Sequence, residues 1–158
     1  MKKYFFILLA LIVSISLTGC GSKNNEGQEE DKNPTSIPSE LQGLYKGSVY
    51  SKESNGIVYY HIYKVEKNTV KTKICSIGNF GGGLKKTAAD CEFDDGKTGL
   101  FSTTTYSVKD ITLKSDNENI NFNIYDEDNE LYAKCRTSFG NISCDTRNGH
   151  YLSWNKES

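Results

Sequence analysis

With 158 residues, 36% of them hydrophobic, and a formal net charge of −1, the chain has room for one modest domain. Lys and acidic residues are interspersed along it and Arg occurs only at Arg136 and Arg147, so no basic stripe forms, which argues against a nucleic-acid partner. Tyr carries much of the apolar load, with ten copies, and suits a half-buried sheet because its ring packs while its hydroxyl reaches water.

The chain opens with the positive Met1-Lys2-Lys3, followed by an apolar run from Tyr4 to Ser16. That run has the length of a signal-peptide core and falls short of the ~20 residues a transmembrane helix needs. Leu17-Thr18-Gly19-Cys20 follows at once. Thr18 and Gly19 are small, leaving the backbone open to a peptidase, and Cys20 supplies a nucleophilic thiol. The tetrapeptide resembles the lipobox of bacterial lipoproteins, a resemblance confined to residues 1–20. It implies that 1–19 is a cleaved signal peptide and that Cys20 carries a diacylglycerol thioether, often joined by an amide-linked acyl chain such as palmitate. The protein would then be anchored to a bacterial membrane on its non-cytoplasmic side, at the periplasmic face or cell surface. Two or three acyl chains, at roughly 0.8 kcal/mol per buried methylene, hold far more firmly than one. Gly21 is not the Asp that marks inner-membrane retention in some Gram-negative bacteria, so either membrane, or a Gram-positive host, fits.

Residues 20–40 follow as the lipidated cysteine and a linker rich in Gly, Asn, Glu, Gln, Lys, Ser and the chain's two prolines, Pro34 and Pro38. Such a composition has almost nothing to bury and reads as a disordered spacer. The acidic Glu29-Glu30-Asp31 run fits that spacer better than a binding epitope.

From residue 41 to 158 no long segment repeats apolar residues at a helical period. Short alternating runs predict strands at Leu44–Tyr50, Ile57–Val65, Thr69–Ile77, Thr104–Val108, Asp110–Leu113, Ile120–Ile124, Leu131–Thr137, Ile142–Thr146 and Tyr151–Trp154. Within the second run, Tyr59, His61 and Tyr63 share one face and Val58, Tyr60 and Ile62 the other. Turn signals separate the runs at Lys67-Asn68, Asp116-Asn117, Asp126 to Asn129, Phe139-Gly140 and Asn148-Gly149. The expected fold is therefore all-β, an antiparallel meander of eight or nine strands. A small up-and-down barrel is favoured over a sandwich, because only Gly78 to Asp90 offers a long connection.

Four further cysteines, Cys75, Cys91, Cys135 and Cys144, predict two disulfides in an exported domain. A tight turn at Phe139-Gly140 sets Cys135 directly opposite Cys144 as a non-hydrogen-bonded pair, with Cα atoms about 4.5 Å apart. Cys75–Cys91 follows by elimination and staples the neck of the Gly-rich connection. The spacings lack the close Cys-x-x-Cys pairs of zinc ribbons and redox dithiols, so no metal is expected.

No cofactor and no enzymatic chemistry are expected either. Gly78 to Thr87 approaches a phosphate-loop pattern, but Leu84 stands where the lysine must follow the last glycine. Asp126 to Glu130 is rich in carboxylates yet lacks the EF-hand residues, with Leu131 and Thr137 at the Gly and Glu places. Asp94-Asp95-Gly96 reads as a turn, and the two histidines, His61 and His150, read as surface or rim residues. No Gly-x-Ser-x-Gly elbow occurs. Phe80, set beside Gly81, Gly82 and Gly83, and Trp154 near the C-terminus are the candidate contacts for a partner or ligand.

Leu41-Gln42-Gly43-Leu44-Tyr45-Lys46-Gly47 opens the domain with a Gly-x-aromatic turn into the first strand. It resembles the start of lipocalin-like barrels, with Tyr45 where those carry Trp. The resemblance covers about seven residues plus the meander, and implies an eight-stranded barrel able to hold a small apolar ligand. Two functions are thus expected: a non-enzymatic envelope module binding a protein through its loops, or a carrier of a small apolar ligand. A hydrolase, or an inhibitor of lysozymes or proteases, is the weaker expectation. An open interior of ~300 Å³ or more favours the carrier; a filled barrel favours protein contacts.

Overall fold

The computed structural model describes residues 33–80, 84–93, 99, 101–114 and 119–158, with the backbone alone at 79, 80, 84 and 85. The signal, Cys20, the acidic run, Gly81 to Gly83, Asp94-Asp95-Gly96 and the Asp116-Asn117 turn all lie outside the described residues. Asn33–Ser158 forms one compact unit.

Its strands are β1 (Gly43–Lys52), β2 (Val58–Val65), β3 (Thr69–Phe80), β4 (Leu84–Lys86), β5 (Thr104–Leu113), β6 (Ile120–Tyr125), β7 (Leu131–Ser138), β8 (Asn141–Thr146) and β9 (Tyr151–Lys156). Every pairing is antiparallel. β1 pairs with both β2 and β9, β2 pairs with β3, and the ladder runs on through β5, β6, β7 and β8 back to β9. The ring is closed: eight strands form an up-and-down barrel, with β4 outside it as a short flap on the far end of β3. The ring closes between β1 and β9 at Tyr45 opposite Lys156 and Lys46 opposite Asn155.

Local sequence explains the turns. Ser54-Asn55-Gly56, Glu127-Asp128-Asn129 and Arg147-Asn148-Gly149 are three-residue hairpin loops at one end, each finishing on a left-handed residue. At the other end Lys67-Asn68 and Phe139-Gly140 make two-residue turns. Phe139 and Gly140 both have positive φ, 51° and 78°, the signature of a type I′ turn.

The structure departs from the sequence reading in three places. Thr104–Leu113 is one strand, where two were expected, because Asp110 adopts φ 54° and bulges the ladder between Lys109 and Thr112. The extra residue lets Val108 and Ile111 both face inward. The expected long connection begins instead as a hairpin, Gly78 to Phe80 pairing with Leu84 to Lys86, followed by a 3-10 turn at Ala88–Asp90. The compact unit also starts before residue 41, since Ile37, assigned to the spacer, is 1% exposed and belongs to the core.

Residues 33–42 seal one end of the barrel. Asn33 Oδ1 accepts from the Leu113 amide at 3.2 Å, the Ile37 amide donates to the Lys67 carbonyl at 2.9 Å, and Tyr45 Oη donates to the Leu41 carbonyl at 2.7 Å. This segment, which ends in a 3-10 turn at Ser39–Leu41, is thus tied to β5, to the β2–β3 turn and to β1, and it drops Ile37 and Leu41 onto the core. Above them lie Val65, Val70, Ile120, Phe122, Ile142 and Trp154, all buried on inward pleats. Ile62, on the opposite pleat from Tyr63, is also fully buried; Ala88, from the segment that contacts the outer wall near β1, is buried likewise, and neither joins the main core.

Candidate functional site

The sealed half of the barrel is filled and the other half is not. Inward positions near the seal are tightly packed, with Val65, Val70, Ile120, Phe122 and Ile142 among them, whereas those nearer the open end include Tyr63 and His61 on β2, Thr72 on β3, Tyr106 on β5 and, beside a break in register, Tyr132 on β7. Rings of this shape, tied to opposite walls, line space without filling it. They enclose a cup of about 380 Å³, with Ile74, Ile124 and Leu152 supplying aliphatic wall.

Aromatic contacts fix the lining. Tyr63 stacks on the buried Trp154 with ring centroids 4.1 Å apart and 17° between planes. Above it His61 lies 6.5 Å from Tyr63, and Tyr50 meets His61 edge-on at 5.6 Å. Across the cup Tyr106 and Tyr132 stack at 4.5 Å and 28°. Gly47 makes the first stack possible, because a Cβ there would meet Tyr63 Cε2 at 2.6 Å.

The lining is nearly free of charge. Burial pushes the Tyr63 phenol up to about 12, with Tyr132 nearby adding to the rise while the neighbouring Trp154 and Thr72 groups oppose it. Burial raises Tyr106 too, reinforced by Tyr132. Both stay protonated at physiological pH. Half-buried His61 is held below its ordinary 6.5 by desolvation, so it is neutral at pH 7. Lys73 is among the lining residues, but its Nζ donates to the Glu92 carbonyl at 2.6 Å. Two buried polar atoms in this region, Thr72 Oγ1 and Trp154 Nε1, have no hydrogen-bond partner of normal geometry.

Thr104, Tyr106 and Tyr132 also border a second hollow, of about 600 Å³, whose far side carries Asp126 and Arg147. There Arg147 Nη1 sits 2.6 Å from Glu130 and 3.3 Å from Asp126. The carboxylates at this hairpin tip are thereby engaged by a guanidinium rather than gathered toward a cation. Among the described residues no group of three or more His, Cys, Asp or Glu is placed to hold a metal ion.

The expected residues fall in different places. Cys135–Cys144 and Cys75–Cys91 are both disulfides, with Cα separations of 4.1 and 6.1 Å. The first lies inside the barrel core, across the β7–β8 ladder. The second ties β3 to the segment after the 3-10 turn. Trp154 is fully buried beneath Tyr63, so the contact assigned to it passes to Tyr63, the member of the stack that reaches the cup. The backbone of Phe80 closes the β3–β4 pairing opposite Leu84. His150 is exposed in the β8–β9 turn, while His61 is in the cup wall.

No family model, curated protein or solved structure matches this chain. Function is therefore argued from the cup itself. Sequence reasoning missed Tyr106, Tyr132 and Thr72. For Thr72 and Tyr106 a signal was there, since the inward pleats of β3 and β5 change from Val to Thr and Tyr toward one end, whereas Tyr132 shares its parity with the exposed Lys134 and Arg136 and reaches the cup only at a break in register.

Proposed function

We infer that this protein is a non-enzymatic binding module of the bacterial envelope, tethered by lipid on Cys20, whose barrel holds a small, uncharged, largely apolar molecule. The observation that carries this reading is the open cup of about 380 Å³ between Tyr63, Tyr106 and Tyr132. It exceeds the ~300 Å³ at which small-ligand sites begin, and it combines apolar wall with a few polar groups, as such sites do. The lining favours an uncharged ligand, because its one charged member, Lys73, is already engaged by the Glu92 carbonyl. The cavity thus favours the carrier reading over the protein-binding one.

The single tryptophan is a built-in reporter, since it lies one ring below the cup. The test is titration of purified mature protein with the neutral fluorophore N-phenyl-1-naphthylamine, followed by energy transfer from Trp154. Leu152→Arg, which sets a guanidinium into the cup wall, is expected to weaken probe affinity more than ten-fold while near-UV circular dichroism stays native. Absence of probe binding to the wild type, or equal binding to Leu152→Arg, overturns the reading.

A further inference from the structure

We propose that the Phe139 hairpin at the sealed end of the barrel is a membrane-contact element that dips into the lipid headgroup region. Phe139 is 97% exposed, while other large hydrophobics with substantial exposure keep roughly half their surface covered. It also occupies the first position of a type I′ turn, with φ 51°. That position favours Asn, Asp or Gly, because a Cβ crowds the backbone in the left-handed region. The fold therefore gains nothing from Phe here, either by burial or by turn chemistry. An aromatic ring kept at the tip of a strained turn points to something outside the barrel.

The placement says what that is. Residues 33–42 seal the same end, so the chain enters the barrel on the side from which Phe139 projects. Rested on the reading of Cys20 as lipidated, residues 20–32 join the lipid to this end and cannot span more than about 45 Å whatever their conformation, so this end lies within that reach of the bilayer. One lysine lies beside the hairpin, since Lys114 Nζ donates to the Thr137 carbonyl at 3.1 Å, while the Lys156 ammonium is turned to the Glu40 carbonyl. An exposed aromatic tip with an ammonium group beside it is the chemistry of an interfacial anchor. Glu40 and Glu157 lie at the same end, but Glu157 is paired with Lys46 at 3.1 Å. The cup then opens away from the bilayer, toward the envelope space.

The test uses the full lipidated protein reconstituted into vesicles of phosphatidylethanolamine and phosphatidylglycerol, with and without brominated acyl chains. Phe139→Trp places a second indole at the tip, and Trp154 in the wild type is the buried reference. The melting temperature of the variant should match that of the wild type, since the substituted ring touches nothing. Contact predicts a blue shift in the emission of the introduced indole on reconstitution, and at least two-fold stronger quenching by brominated lipid than Trp154 shows. Emission that stays red and open to aqueous iodide overturns the proposal. So does shielding from iodide without quenching by brominated lipid, which means a protein, or a second copy of this chain, covers the tip. Vesicle flotation with and without Cys20→Ala reports the tether separately, so failure of the anchor and failure of the hairpin contact are distinguishable.

Discussion

Gly47 is the narrowest point in the construction of the cup, and Gly47→Ala is the sharpest test of it. The glycine lies in the irregular stretch of β1 between Lys46 and Val49. An added Cβ would stand 2.6 Å from Tyr63 Cε2 and 3.3 Å from the His61 carbonyl oxygen. The carbonyl belongs to the β2 ladder and cannot retreat. The Tyr63 ring cannot move inward, because Trp154 lies 4.1 Å beneath it. Its remaining direction is up into the cup, which breaks the stack. Overpacking of this kind costs about 1–3 kcal/mol, and loss of a well-formed aromatic pair ~0.5–1.5 kcal/mol, for a total of about 1.5–4.5 kcal/mol. In a domain of this size about 2 kcal/mol lowers the melting temperature by roughly 8 °C. Thermal unfolding followed by the near-UV signal of Trp154 measures both the loss of stability and the loss of ring order. The same substitution should cut probe affinity, since Tyr63 now occupies part of the cavity. In a Tyr63→Leu background the cost of Gly47→Ala should fall below about 1 kcal/mol, because the obstructing ring is gone. A melting temperature within error of the wild type, with an unchanged Trp154 spectrum, would refute the argument that Gly47 makes room for the stack.

His61 supplies a pH signature. Burial holds its folded pKa below 6.5, so the unfolded chain takes up the proton first and stability falls as pH drops through 6.5 and on through the folded pKa. Above that window both states are neutral and the contribution vanishes. Urea denaturation at pH 7 and pH 5 should show a larger loss for the wild type than for His61→Gln; parallel losses would show that His61 is not the group responsible. The two disulfides should separate structure from access. Cys135→Ala/Cys144→Ala, which opens a short loop within the core, is expected to cost about 2.5 kcal/mol or more by denaturant midpoint, because buried sulfur contacts go with the link. Cys75→Ala/Cys91→Ala should leave the barrel spectrum native and increase protease cleavage after Thr87, and loss of the barrel signal would contradict that division.

Most of the fold was legible because it is built from local decisions. Each hairpin carries its own turn residues, and alternation assigns each side chain to a pleat, so a meander with short loops nearly dictates its own order. The Cys135–Cys144 pairing follows from the same counting, since the Phe139-Gly140 turn fixes the register residue by residue. The exceptions each have a physical reason. Asp110 reverses the parity of β5, and a strand whose inward positions are Val108 and then Ile111 reads as two. Ile37 is one apolar residue between two prolines, and composition averages it into a spacer although it is as buried as anything in the core. The cup was the least legible part. Its rings come from β2, β5 and β7; alternation says which way Tyr63 and Tyr106 point without saying how much space lies in front of them, and a break in register turns Tyr132 against its parity. That space depends on closure of the ring and on the opposing wall.

The asymmetry of the barrel ties these features together. At the sealed end the two described turns, Lys67-Asn68 and Phe139-Gly140, have two residues each, and residues 33–42 cross the opening, so the inward side chains there are compressed into a core. At the other end the hairpins have three-residue loops, and the β3–β5 ladder stops at Thr72 opposite Thr104. Above that pair β3 runs on to Phe80 without β5 beside it. The seam is therefore open where the cup begins, and the connection between the two strands reaches it, with Gly99 and Ser102 in the lining. Cys75–Cys91 fixes that connection to the wall just above the end of the ladder. The chain thus places one cystine inside the core, across the β7–β8 ladder, and the other outside the cup lining, where it ties β3 to the segment after the 3-10 turn.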